Sequence, residues 1–156
     1  MRRSTLVHAL LLIGAFVCAT ALSAHAEPLA DAKTLATEGE KTLKKASRIK
    51  KRSKRAGKLA EGLKKISEAY VLITTHELQN DAPELLQKIN DHLARTNALT
   101  EISELRQQLM AKAIDATVAG KMNEAYETLA RLKELDPRDP NVDYALTVVS
   151  ERMEDQ

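Results

Sequence analysis

Cysteine is nearly missing from this chain. Cys18 stands alone, so no disulfide can form within it. Tryptophan is absent, phenylalanine occurs once (Phe16), and Tyr70, Tyr126 and Tyr144 complete an aromatic content of 3%. A core so poor in rings must be built from Leu, Ile, Val, Ala and Met. The five glycines are dispersed through the 156 residues, which leaves no glycine-rich phosphate loop. No serine sits in a Gly-x-Ser-x-Gly elbow. Beyond residue 26 the only histidines are His76 and His92, and neither has a second ligand at helical spacing, whereas metal sites need clustered His, Cys or carboxylates. The pairs Glu101/Glu104 and Glu124/Glu127 read as solvated charges on helix faces. These absences predict no enzymatic activity, no cofactor and no metal.

The one long hydrophobic run lies at the start. Arg2 and Arg3 precede an almost uncharged stretch from Leu6 to Leu22, and Ala24-His25-Ala26 is a small-x-small pattern. That composition is a secretory signal peptide, cleaved after Ala26. An uncleaved membrane anchor is the alternative, although the run is at the short end for a span of about 20 residues. Ser4-Thr5 stand where a twin-arginine signal wants apolar residues. Phe16-Val17 precede Cys18 where a lipoprotein signal needs small ones. The expected product is an exported chain of 130 residues, Glu27 to Gln156, periplasmic or secreted and held together by packing alone.

Its charge is unevenly spread. The formal net charge of +2 equals the contribution of Arg2 and Arg3, so the expected mature chain is neutral. Between Lys41 and Lys65, however, twelve Lys/Arg face the single acid Glu61, while residues 66–120 and 121–156 each carry a net −4. The densest part holds Lys44, Lys45, Arg48, Lys50, Lys51, Arg52, Lys54, Arg55 and Lys58. Export argues against nucleic acid as its partner, and no interleaved aromatics are present to stack bases. Three readings remain: an anionic membrane surface or other polyanion, an acidic protein surface, and a solvated basic helix with no ligand. Leu43, Ala46 and Ile49 form only a thin apolar stripe beside these charges.

Good helix formers dominate after Ala26, and no segment alternates with period two for long. Even the β-prone Val71-Leu72-Ile73-Thr74-Thr75 sits inside a helical pattern. Asp81-Ala82-Pro83, Asn97, Gly120 and Asp136-Pro137-Arg138-Asp139-Pro140 supply caps and breaks. They predict helices over 30–52, 55–79, 83–95, 98–118, 121–135 and 139–154, and Gly57 and Gly62 weaken the basic region enough that the first two could be one kinked helix or two.

From Leu109 onward the residues resemble a tetratricopeptide repeat, a helix–turn–helix unit of about 34 residues. Leu109, Ala113 and Ala116 fit its first helix, Gly120 its turn, Ala125 and Leu129 its second helix, and Pro137 its end. Lys112 and Leu132 depart from the pattern, and a generic αα-hairpin makes similar demands for small residues and a turn breaker. Ile66-Ser-Glu-Ala69-Tyr70 faintly echoes Met122-Asn-Glu-Ala125-Tyr126 upstream.

The expected organisation is a signal peptide (1–26), a basic helical segment (27–65) and a tetratricopeptide-like domain (66–156). The class is all-α: antiparallel helical hairpins in a short α-solenoid. Such units bury their faces only against neighbours and need about three for stability. Either the degenerate upstream segment completes the stack, or a homo-oligomer does. The resemblance implies a binding module for a protein or peptide.

Overall fold

The computed structural model describes residues 26–154, which form six helices. The leader reading falls outside these residues except for Ala26. Helix α1 occupies 26–46. It is followed by α2 (Arg52–Thr75), α3 (Pro83–Asn97), α4 (Thr100–Val118), α5 (Met122–Leu135) and α6 (Pro140–Glu154). The protein is all-α. None of the described helices is long and apolar enough to cross a membrane.

The first break falls earlier than its sequence suggests: α1 stops at 46 and α2 starts at Arg52. The amides of Arg48 and Ile49 bond three residues back, to Lys45 and Ala46, which tightens the chain out of the α-helix. Gly57 and Gly62 do not interrupt α2. The 65/66 boundary drawn from charge lies within this helix.

Helix α2 ends at Thr75 rather than 79. Glu77 takes a left-handed conformation (φ 55°), and the Leu78 amide reaches back 2.9 Å to the Ile73 carbonyl. This closing turn buries Leu78 completely, the apolar contact that commonly accompanies it. Gly120 (φ 74°) ends α4 in the same way, with the Lys121 amide 2.9 Å from the Ala116 carbonyl. Here a glycine meets the positive φ without a Cβ penalty. Pro83 and Pro140 both open helices, where a missing N–H breaks no intrahelical bond. Asn97 does not cap α4. It is the last residue of α3, and its amide donates to the Leu93 and Leu135 carbonyls.

One apolar core runs through the molecule, from Ala32, Ala36 and Ala46 on α1 to Val142 and Val149 on α6. Leu63, Ile66 and Ile73 form its centre on α2, where each fully buried side chain contributes about 1.5–3 kcal/mol. Helix α2 packs on α3, α4 and α5, while α4–α5 and α5–α6 pair as neighbouring hairpins. Helix α1 places only alanines among the fully buried apolar residues, and it approaches α2 closely. A Cβ on Gly39 would lie 2.8 Å from Ile66 Cδ1 and 3.0 Å from the Gly62 carbonyl oxygen. A Cβ on Gly62 would lie 2.6 Å from Leu43 Cδ2. Gly62, which weakens α2 by propensity, is thus required by packing.

Candidate functional site

The basic run divides into two sets. Lys44 pairs with Glu40 (3.1 Å), Arg52 with Glu104 (2.7 Å), Arg55 with Glu101, and Lys58 with Glu61 (2.5 Å). The Arg52 and Arg55 pairs bind the start of α2 to the start of α4. The carboxylates Glu101 and Glu104 are therefore not simply solvated. Glu101 has a side chain only 10% exposed, and its own amide together with Arg55 holds its carboxyl below the usual range. The second set is Lys45, Arg48, Lys50, Lys51 and Lys54. All five are exposed, and none makes an ion pair among the described residues. They surround the α1–α2 turn. Lys51 is the N-cap of α2, offers no side-chain cap, and is followed by no acid in the first turn.

The apolar stripe beside these charges is largely consumed by packing. Ala46 is fully buried, Leu43 lies against Gly62, and only half-buried Ile49 remains near the turn.

The residues carrying the repeat resemblance come together in the α4–α5 hairpin, except Pro137, which follows α5 in the turn to α6. Leu109, Ala113, Ala116, Ala125, Leu129 and Pro137 are all buried, and Gly120 makes the turn. They form scaffold, not surface. The upstream echo occupies a different setting: Ile66 to Tyr70 lies mid-helix in α2, whereas Met122 begins α5.

The repeat resemblance names no partner-contacting residue, and two clefts supply candidates. One, of about 260 Å³, lies between α4 and α6. It is walled by Met110, Ile114, Val118, Tyr144, Ala145 and Val148 above the buried Ala113, Leu129 and Val149. Ile114 is 55% exposed, Val118 83% and Tyr144 74%. Helical spacing along α4 carries a signal for it, since Ile114 and Val118 are apolar and four residues apart, off the Leu109/Ala113/Ala116 stripe. The other cleft, about 440 Å³, lies between α1, α2 and α5 over Leu35, Val71, Leu72 and Ala130. Its floor includes Ser67, whose buried hydroxyl has no hydrogen-bond partner.

His92 is half-buried on α3 near Glu40, and burial keeps its imidazole below its ordinary pKa. His76 is exposed at the end of α2. No group of three His, Cys, Asp or Glu among the described residues is placed to hold a metal ion.

Comparison of the chain with family models, with curated proteins and with solved structures finds no match.

Proposed function

We propose that this protein is an exported, non-enzymatic adaptor of the cell envelope, built as a short tetratricopeptide-like stack, which docks an apolar segment of a protein partner between α4 and α6. The observation that carries the reading is the exposed apolar wall formed by Ile114, Val118 and Tyr144 beside a preformed cleft. Contiguous apolar surface of this kind marks interaction sites more often than isolated exposed residues do. The hairpin beneath it supplies rigidity, because its small residues let α4 and α5 pack closely.

The test is crosslinked capture from an envelope extract with wild type and with Ile114→Asp plus Tyr144→Asp. Both positions are exposed, so substitution there leaves the fold intact. The reading expects a captured partner that survives high salt and disappears with the double variant. A partner retained by that variant would remove the cleft from the account.

A second reading, attachment to an anionic envelope surface through the basic stretch 44–58, is favoured by the five unpaired cations of the α1–α2 turn.

A further inference from the structure

We infer that the α1–α2 turn alone, through Lys45, Arg48, Lys50, Lys51 and Lys54, docks on the phosphate-bearing face of an anionic bilayer; this rests on the second reading above and narrows it.

The remaining cations of the basic run are committed elsewhere. Arg52 and Arg55 hold α4, while Lys44 and Lys58 hold neighbouring carboxylates on their own helices. The five turn residues are all exposed, lie within ten positions of one another, and repel one another with no acid between Glu40 and Glu61. Glu40 is already shared by Lys44 and Lys88, and Glu61 by Lys58. The start of α2 adds to this positive field: its first amides have no side-chain cap and its first turn contains no acid, so the helix dipole favours an anion there, while Glu101 and Glu104 of α4 are taken up by Arg55 and Arg52.

The geometry selects a broad anion. None of the five lines the clefts found around the turn, whose walls are formed by Arg52, Arg55, Glu101 and their neighbours. A small ligand would have no walls there. Nor does the turn offer the buried aromatic or aliphatic anchors on which protein interfaces depend, since Leu43 and Ala46 are packed inward. Cations displayed around a single half-buried apolar residue, Ile49, suit a charged plane of headgroups and attachment without deep insertion. The net −4 carried by residues 66–120, and again by 121–156, is repelled by the same plane and limits contact to the turn.

The experiment is co-sedimentation of the chain without its leader with vesicles of phosphatidylglycerol and phosphatidylcholine in equal parts. Pure phosphatidylcholine and soluble inorganic polyphosphate serve as the other arms. One variant carries Lys45→Gln, Arg48→Gln, Lys50→Gln, Lys51→Gln and Lys54→Gln. A charge-matched control carries Lys44→Gln, Lys58→Gln, Lys64→Gln, Lys65→Gln and Lys112→Gln, all residues already in ion pairs.

Each neutralised turn cation should weaken binding roughly fivefold, so the turn variant falls on the order of a thousandfold while the control retains most of its binding. Wild-type binding should decline steeply with ionic strength. The thermal midpoint of the turn variant should be at or above that of wild type, because repulsion is relieved. A lower midpoint would overturn the claim that the five are free of structural work. Equal loss in both variants would overturn the turn assignment and leave the broader surface reading standing. No wild-type binding to the anionic vesicles would end both. Tighter binding to polyphosphate than to vesicles would move the site to a soluble polyanion and overturn the bilayer.

Discussion

The two end hairpins of this protein are held together in opposite ways. The α5–α6 hairpin is fastened at its turn. Asp136 accepts hydrogen bonds from the Arg138 amide (3.1 Å) and Nε (2.9 Å), and Arg138 also reaches Asn90 on α3 (3.1 Å). Asp139 accepts the Asn141 amide (3.0 Å) and pairs with Arg106 on α4. Burial alone would raise the Asp136 carboxyl, but hydrogen bonds and charge from Arg138 keep it below its ordinary range. The α1–α2 hairpin is fastened in its body, at the Gly39–Gly62 crossing and by Lys65–Glu38 (2.5 Å). Its turn has only local bonds, such as Ser47 Oγ to the Lys44 carbonyl (2.8 Å), and five like charges. A turn whose charged side chains are paired internally leaves little for a partner. A turn left repulsive and exposed stays available, at some expense in local stability.

The contrast is broken most severely by Arg138→Ala. This change leaves Asp136 and Asn90 without their side-chain partner and should cost about 2 kcal/mol in a chemical denaturation experiment, as for hydrogen bonds to a charged group. A change of only a few tenths would mean the α5–α6 turn is no more anchored than its counterpart.

Gly39→Ala tests the body of the first hairpin. Its new methyl meets Ile66 and the fixed Gly62 carbonyl, and overpacking of about 1–3 kcal/mol outweighs the helix-propensity gain of about 1 kcal/mol. Gly57→Ala is the opposite case in the same hairpin. Nothing lies within 4 Å of its added methyl, so it should stabilise by about 0.5–1 kcal/mol. If both alanines shift the thermal midpoint in the same direction, the close crossing is not what holds α1.

The smallest effect is acid sensitivity. Hydrogen bonds from Lys88 and Lys44 hold the Glu40 carboxyl down to about 2 from its ordinary 4.5. A depressed carboxyl stabilises the fold fully above its ordinary value and loses that contribution as pH falls from 4.5 through about 2. The α1–α3 link should therefore weaken across that window, by under about 1 kcal/mol for a pair this close to solvent. Melts of wild type and Lys88→Ala over the same pH range should converge at the acid end. Parallel curves would show that Glu40 does not carry the effect.

Much of the helical layout was readable because it is local. Pro83, Pro140 and Gly120 act within one turn of themselves, and the small-residue pattern from Leu109 to Leu129 falls on the faces where α4 and α5 meet. The end of α1 is not marked locally, because Arg48 to Arg55 contains good helix formers. The break comes from a tightened turn and the packing of Ala46. The end of α2 carries no glycine signal, because Glu77 adopts a conformation usually left to glycine. Asn97 resembles a cap in sequence because its partner, the Leu135 carbonyl, lies 38 residues away.

Composition and spacing alone determined that the chain is helical, that its core is aliphatic, and that positive charge is concentrated between Lys41 and Lys65. Those properties depend on residue type and near neighbours. Tertiary structure decided which of those charges remain available. Glu101 and Glu104, 46 and 52 residues from Arg55 and Arg52, neutralise two arginines only because α4 is laid against the start of α2. It also converted Gly62 from a weak point into part of the crossing with Gly39 that admits α1, because helix propensity acts along one helix and close approach needs two.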